Sequence, residues 1–204
     1  MKVMHSEWTG RIEHWIRTLK EDFYRPLGEI AWEACRTKEH LGPEELENCG
    51  FAAVEPGFTW GETWEYCWFK GSVVLPKEAE GKRIVLSLAP GGESTLFVNG
   101  RSFGTYRADW VMEKHHYLED NVLAAAGEAG ARYDILMETY AGHYYPDAGG
   151  CSTGPVLPGS YQDPLEEGAR RTLGKCTYGI WNEDAYQLYM DVDTLSKLLE
   201  TMDE

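Results

Sequence analysis

The chain has 204 residues, with 19 basic against 34 acidic side chains, so its formal net charge at pH 7 is −15 and its pI is near 4.8. This balance argues against nucleic acid or an anionic membrane surface as partner, because binding to phosphate needs a basic face. The length suits one domain of about 150 residues with flanking helices, large enough to bury a core without disulfides or metal.

The sequence carries no sign of export or membrane insertion. Its start, MKVMHSEWTGRIEHW, has no apolar leader, and no apolar run of about eighteen residues occurs. Five cysteines at irregular spacing without a CxxC pair favour free, mostly buried thiols over a disulfide frame or a zinc site. They are Cys35, Cys49, Cys67, Cys151 and Cys176. We therefore expect a cytoplasmic protein.

The first quarter of the chain predicts a helix, a strand and a connection. Large apolar residues recur at helical spacing from Glu7 to Tyr24, and Pro26 ends the helix. Alternation predicts a first strand from Ile30 to Cys35. A charged connection over His40–Asn48 includes a short helical turn where proline is tolerated early. The helix stripe comprises Trp8, Ile12, Trp15, Ile16, Leu19 and Phe23.

Three successive strands follow, over Trp64–Leu75, Arg83–Leu88 and Ser94–Val98. The first carries large side chains on both faces, including Trp64 and Trp68, which predicts a central strand of a packed sandwich. The dipeptide Asn99-Gly100 tolerates the two positive-φ positions of a type I′ turn, so the next residues should form its hairpin partner.

The remaining chain alternates between strands and irregular segments. The pattern predicts a strand at Lys114–Leu118, a loop at Asp120–Leu123 and a strand at Arg132–Tyr140. A proline- and glycine-rich loop covers about 141–167, and such loops are usually functional or disordered. One more strand fits Arg171–Ile180.

A helix closes the chain. Asn182 is a suitable N-cap, and Glu183 and Asp184 lie in the first turn, where the helix dipole favours negative charge. Apolar residues then recur at intervals of three and four positions as far as Met202. This apolar face packs either on the N-terminal helix or on another domain.

The stretches WGETWEYCWFKGSVVLP, GKRIVLSL and GGESTLFVNG, followed by YDILMETYAGH and YGIWNEDAYQLYMDVDTL, carry a resemblance. In this order they resemble the N-terminal β-sandwich of class II α-mannosidases, the family-38 glycoside hydrolases. The resemblance implies a mainly β fold, a galactose-binding-like jelly-roll β-sandwich with flanking N-terminal and C-terminal α-helices. It divides the chain into a helical segment at 1–27, a sandwich at 28–180 and a C-terminal helix at 181–204. It also implies that zinc and the nucleophilic aspartate belong to a downstream catalytic domain that this chain lacks.

Few residues suggest chemistry of their own. The pair His115-His116 and the segment His143–Asp147 invite a metal interpretation, but neighbouring residues on a strand point to opposite faces, so we predict no metal site and no cofactor in this chain. A glycosidase needs two carboxylates at a set separation, and the sequence selects no pair. Glu93, in the GGES turn, is the candidate acid, with a turn hydrogen bond to backbone as the alternative.

Aromatic side chains give a better functional argument, because sugar C–H faces stack on indole and phenol rings. Trp60 is placed in a loop, and His143, Tyr144 and Tyr145 follow a strand end. For Trp60 and Tyr144 three interpretations stay open: contact with a catalytic domain, contact with a sugar, and local packing.

Two functional hypotheses follow. The first is a non-catalytic accessory domain of an α-mannosidase, which braces the catalytic domain and shapes its sugar cleft. The second is a free-standing carbohydrate-binding module. The expected partners are the catalytic domain of the parent enzyme and mannose-containing glycans, and the terminal helices could also form a homo-oligomer.

Overall fold

A computed structural model describes residues 6–62, 64–106, 121–142 and 171–202. In these ranges helix α1 covers Ser6–Glu21 and helix α2 covers Glu183–Met202. Short 3₁₀ turns lie at Pro43–Asn48 and Lys77–Ala79. The strands are β1 Tyr24–Glu29, β2 Trp32–Thr37, β3 Ala52–Val54, β4 Thr59–Trp60, β5 Tyr66–Val74, β6 Ile84–Ser87, β7 Glu93–Val98, β8 Arg101–Tyr106, β9 Val122–Ala124, β10 Arg132–Tyr140, β11 Arg171–Thr172 and β12 Thr177–Trp181.

Two antiparallel sheets form the body of the described structure. One has six strands in the order β3-β2-β5-β10-β7-β8, and the other has four in the order β1-β12-β6-β9. A two-stranded ribbon joins β11 to β4. Side chains from both large sheets share one core, in which Phe69 and Met137 of the first sheet and Leu86 of the second are fully buried. The predicted β-sandwich is therefore confirmed.

Strand β5 lies between β2 and β10, as its two apolar faces predict. Cys67, Phe69 and Val73 point into the core between the sheets. Trp68 points to the outer face and is also fully buried, with its ring 6.2 Å from that of Phe97. The outer face of the six-stranded sheet thus has an aromatic layer of its own.

The predicted hairpin is confirmed in detail. Asn99 has φ of 50° and Gly100 has φ of 72°, the two positive values that a type I′ turn needs. Val98 pairs with Arg101 directly across the turn. Asn99 Oδ1 also accepts the N–H of Asp134 at 2.9 Å, which fixes the hairpin to β10.

The two helices pack on each other where the sandwich ends. The Oδ1 atom of Asn182 accepts the N–H of Ala185, which confirms the predicted N-cap. Phe23 is buried between the helices, with its ring edge-on to Tyr186 and Tyr189 at 5.4 and 5.2 Å. The first turns of α2 therefore pack on α1, one of the two partners that the sequence allowed, whereas Leu195 and Met202 farther along its apolar face are exposed.

Glu183 fastens α2 to the sandwich. Its Oε2 atom accepts from Arg83 at 2.6 Å and from Trp181 Nε1 at 2.8 Å, and its Oε1 atom accepts from Gln187 at 2.7 Å. These donors lower the pKa of the Glu183 carboxyl, with Gln187 as the largest cause.

Several predicted elements need correction. The first helix ends at Glu21, before its predicted end at Tyr24. The residues around Pro26 form strand β1, which pairs with β12. The single strand predicted over Arg171–Ile180 is two strands, β11 and β12. Val122 and Leu123, predicted to lie in a loop, belong to β9. The strand predicted at Lys114–Leu118 lies outside the described residues.

The cysteine prediction is wrong for one pair. Cys35 of β2 and Cys49 form a disulfide, because the chain turns back through the 3₁₀ turn and brings their Cα atoms to 6.0 Å. Cys67 and Cys176 are buried thiols outside any disulfide, as predicted. Cys151 lies outside the described residues.

Candidate functional site

Strand register brings a row of side chains together on the outer face of the six-stranded sheet. Tyr66 of β5 pairs with Tyr140 of β10, and Tyr140 pairs with Glu93 of β7. Since paired residues on neighbouring strands project to the same face, these three side chains stand next to one another. The row lies where β5 and β7 begin and β10 ends.

Three rings stack along this row. The Tyr66 ring is in the middle, with its centroid 4.7 Å from Tyr140 and 5.1 Å from His40, at interplanar angles of 28° and 25°. Among the described residues, Tyr140 is at the end of the stack. One face of its ring therefore contacts Tyr66, and the opposite face points towards β7.

Glu138 occupies the next row on the same face, between Trp68 and Thr95. Its side chain is only 16% exposed, and its Oε1 atom lies 3.4 Å from His40 Nε2. That contact lacks hydrogen-bond geometry, so this buried oxygen has no hydrogen-bond partner among the described residues. The Oε1 atom of Glu138 is thus a buried acceptor without a donor among the described residues.

Burial also changes the acidity of this group. It raises the pKa of the Glu138 carboxyl, and the nearby His40 ring opposes that rise. Burial likewise raises the pKa of the Tyr66 and Tyr140 hydroxyls. At neutral pH both tyrosines are therefore neutral and able to donate hydrogen bonds.

The two rows enclose a pocket of about 340 Å³. Its lining combines aromatic rings, two carboxylates and several hydroxyls, a mixture of apolar surface and polar anchors that suits a small polar ligand. The lining residues are His40, Tyr66, Glu93, Ser94, Thr95, Thr105, Tyr106, Glu138 and Tyr140.

A buried ionic anchor holds the chain just before this pocket. Glu65 is 4% exposed; its Oε1 atom accepts from Arg36 Nε at 2.8 Å, and its Oε2 atom accepts from the N–H groups of Gly61 and Glu62. Trp64, directly before it, has φ of 64° and is 39% exposed. Its N–H bonds the carbonyl of Gly142, so Trp64 lies at the same end of the sheet as the pocket.

Of the predicted site residues, the structure places one in the pocket and one in the core, and the other three lie outside the described residues. Glu93 lines the pocket. Trp60 lies in β4, is completely buried, and donates from Nε1 to the Pro90 carbonyl at 3.0 Å. The expectation that its ring offers a surface to a sugar or to another domain is corrected, because packing and this hydrogen bond use the whole side chain. His143, Tyr144 and Tyr145 lie outside the described residues.

Sequence reasoning missed most of the pocket. Tyr66, Glu138 and Tyr140 were assigned only to strands, and His40 only to a connection. Alternation does show which face of its own strand Tyr66 occupies, and likewise for Glu138, but it does not show that the two residues share one face of the sheet. The missing signal is the pairing of β5 with β10, which joins residues about 70 positions apart in the chain.

Neither a metal centre nor a membrane-spanning helix is found in the part of the chain that the structure describes. There, no three His, Cys, Asp or Glu side chains lie close enough together to hold a metal ion. No described helix is sufficiently long and apolar to cross a bilayer.

Residues 28–149 match the sequence family described as the jelly-roll domain of α-mannosidase. The chain belongs to this family. The jelly-roll sandwich, with one helix before it and one after it in the chain, is thereby confirmed, and this jelly-roll domain is an accessory domain type of α-mannosidases. A curated relative, α-mannosidase 2C1 of Mus musculus, is 26% identical over an alignment of 106 residues. The alignment covers 44% of this chain and 10% of the relative, so the chain spans about a tenth of that enzyme.

Solved structures of the Ruminococcus gnavus β-glucuronidase are also similar to this chain. The complex with D-glucuronic acid gives a TM-score of 0.47 at 13% identity, covering 78% of this chain and 30% of that one. The complex with uronic deoxynojirimycin gives 0.47 at 13% identity, covering 79% and 29%. This chain therefore corresponds to less than a third of the glucuronidase chain.

Proposed function

We propose that this jelly-roll domain is a non-catalytic part of an α-mannosidase that braces the catalytic domain and shapes one wall of its sugar cleft. The observation that carries the proposal is the match of residues 28–149 to the α-mannosidase jelly-roll family. The length of the mouse relative supports it, because about nine tenths of that enzyme lies outside the matched region. The proposed partner is the catalytic domain, with zinc and the nucleophile located there.

The helix pair is the proposed contact surface. Trp8 and Trp15 on α1 are 58% and 61% exposed, and Leu195 and Met202 on α2 are 60% and 63% exposed. A spacing of seven residues places each pair on one side of its helix. Large exposed apolar patches mark sites of association, so this helix-pair surface supports the bracing role.

A reconstitution experiment tests the bracing role. The chain is mixed with an α-mannosidase of the same family whose own jelly-roll domain has been deleted, and both binding and the half-life of activity on heating are measured. We expect a complex with a Kd of about 1 µM or tighter and a longer half-life. Trp15→Asp should weaken binding about tenfold or more. The control is His14→Asp, an exposed neighbour off the apolar row.

Several outcomes would contradict this proposal. Hydrolysis of an aryl α-mannoside by the purified chain alone would show that the chain is itself catalytic. Self-association through the helix pair, seen as a doubled mass that Trp15→Asp abolishes, would assign the surface to a second copy instead.

The proposed compartment is the cytoplasm. The Cys35–Cys49 disulfide counts against it, because disulfides persist mainly in oxidising compartments. Alkylation of thiols in intact cells distinguishes the cytoplasm from an oxidising compartment. Modification of both Cys35 and Cys49 supports the cytoplasm, and protection of both contradicts it.

Carbohydrate binding in mannose metabolism is the second candidate function, and the pocket beside Tyr140 favours it. Its residues differ from the Trp60 site that the sequence suggested, since Trp60 is buried and the pocket uses Glu93, Glu138 and Tyr140. Titration with a mannoside tests it: saturable shifts at pocket residues support a binding module, and their absence refutes one.

A further inference from the structure

His40 reaches the pocket from outside the sheets. It belongs to no helix or strand, and its side chain is 74% exposed to solvent. Its ring lies on the ring of Tyr66, with the two centroids 5.1 Å apart, and its Nε2 atom lies 3.4 Å from Oε1 of Glu138. An exposed side chain of this kind changes rotamer on a short timescale. The His40 ring can therefore leave these two contacts by rotation.

The backbone that carries His40 is held in place. The Cys35–Cys49 disulfide closes the segment around it, and Leu46 in the same segment is buried. Movement of His40 therefore needs rotation of its own side chain and no displacement of the segment.

The contact with His40 leaves Glu138 unsatisfied. The Oε1 atom of Glu138 is buried and accepts no hydrogen bond from the described residues. A buried acceptor without a donor costs free energy, and an ionised carboxylate oxygen can only accept. A hydroxyl that took the place of the imidazole could make the hydrogen bond that His40 does not make.

The ring of Tyr66 is covered on both sides. His40 lies on one face and Tyr140 lies on the other, so Tyr66 presents only its edge to the pocket. Rotation of His40 would uncover one face of Tyr66 close to Glu138. The C–H face of a pyranose packs on such a ring while its hydroxyls reach polar groups at the edge. The imidazole thus occupies a position that also suits a sugar ring.

We propose that His40 is a displaceable cover of this pocket, and that a pyranoside takes the place of its imidazole on Tyr66 and donates a hydroxyl to Oε1 of Glu138. This inference rests on the second candidate function, carbohydrate binding. It adds where the sugar ring lies and which side chain must move. The bracing role is independent of it.

The test uses the whole chain, labelled with ¹³C and ¹⁵N, and methyl α-mannopyranoside as the ligand. Without ligand, the ring current of Tyr66 shifts the imidazole C–H resonances of His40 away from those of the exposed His14. We expect saturable binding with a Kd on the order of 10 mM. At saturation the His40 resonances should lie close to those of His14, because the imidazole has left the stack.

Removal of the His40 ring turns the test into a gain of binding. We expect His40→Ala to bind the mannoside about two- to tenfold more tightly, since the ligand no longer has to break an aromatic pair. Glu138→Leu, added to His40→Ala, should abolish this gain because the acceptor is gone. His14→Ala is the matched control, the loss of an exposed histidine on α1, and should leave the Kd unchanged.

The outcomes separate this inference from carbohydrate binding. Weaker or unchanged binding by His40→Ala would show that His40 is not a cover that the ligand displaces, and so would a bound state in which the His40 resonances stay shifted. Either result would overturn the displacement and leave carbohydrate binding intact. If neither the unmodified chain nor His40→Ala binds the mannoside, carbohydrate binding itself is refuted, and this inference with it.

Discussion

The Nε atom of Arg36 donates to the Oε1 atom of Glu65 at 2.8 Å across the start of the central strand. The other oxygen of Glu65 accepts from the N–H groups of Gly61 and Glu62 at 2.7 and 3.0 Å. This nearly buried carboxylate therefore satisfies three donors at once. The hydrogen bond to Glu65 also raises the pKa of Arg36 above its already high value.

Removal of the Glu65 carboxylate should destabilise the fold strongly. We expect Glu65→Ala to lower the free energy of unfolding by about 2–4 kcal/mol, because two backbone donors and a guanidinium lose their acceptor. Urea denaturation measures the change. Glu62→Ala is the control: its carboxylate also contacts Arg36 but is 46% exposed, so we expect a loss below about 1 kcal/mol. Similar losses in the two variants would contradict the anchoring role.

Glu138 should make stability depend on pH. Burial raises its pKa in the folded state, so the fold favours the protonated form. The stability that this preference contributes is complete below the ordinary pKa of a glutamate and is lost as pH rises through the raised value. Glu138→Gln should therefore gain stability over the unmodified chain between pH 4 and pH 8, as measured by urea denaturation at both pH values.

The control for this pH effect is Glu47→Gln, an exposed carboxylate on the first 3₁₀ turn. Its stability difference from the unmodified chain should be the same at the two pH values. A Glu138→Gln curve parallel to that of the unmodified chain would show that burial of Glu138 has no effect on its ionisation.

Trp60 should behave as a core residue. Because its ring is completely buried and its Nε1 atom is bonded to Pro90, we expect Trp60→Ala to cost about 3–5 kcal/mol. Thermal denaturation followed by circular dichroism measures the loss. The half-exposed Trp64 offers a comparison, and Trp64→Ala should cost about 1 kcal/mol. A fully stable Trp60→Ala variant would show that the side chain is not part of the core.

Reduction should destabilise the chain through one bond. The Cys35–Cys49 disulfide joins residues separated by 14 positions, and a loop of about this size corresponds to about 3 kcal/mol in the chain-entropy account. We expect dithiothreitol to lower the free energy of unfolding by about this amount. A Cys35→Ser variant should start at the lower value and show no response to dithiothreitol. If dithiothreitol does not change the free energy of unfolding of the unmodified chain either, the original prediction of free thiols is restored.

Local sequence patterns predicted those elements whose cause is local. Strand β10 was predicted with its observed bounds, because alternation over Arg132–Tyr140 is regular and both ends are marked. The Asn99-Gly100 turn and the Asn182 cap were predicted because each depends on the conformational preference of one or two residues. Strand β1 was missed, because proline ended the predicted helix. Its strand character comes from pairing at the sheet edge with β12, about 150 positions away.

The candidate site could be predicted only in part for the same reason. Glu93 was found because its turn is a recognisable motif. The stack of Tyr66 on Tyr140 and the burial of Glu138 depend on which strands pair and in which register, and alternation within one strand does not determine either. Trp60 was misplaced because its short strand forms with β11, far along the chain.

The pairing of β1 with β12 also determines how the domain would respond to mechanical load. The rung between Tyr24 and Trp181 is the first of this ladder, and both helices leave the sandwich beside it. A force that separates α1 from α2 would therefore act on one rung at a time and unzip the two strands, rather than shear all their hydrogen bonds together. The sandwich would open first at this edge, while the pocket lies on the other sheet.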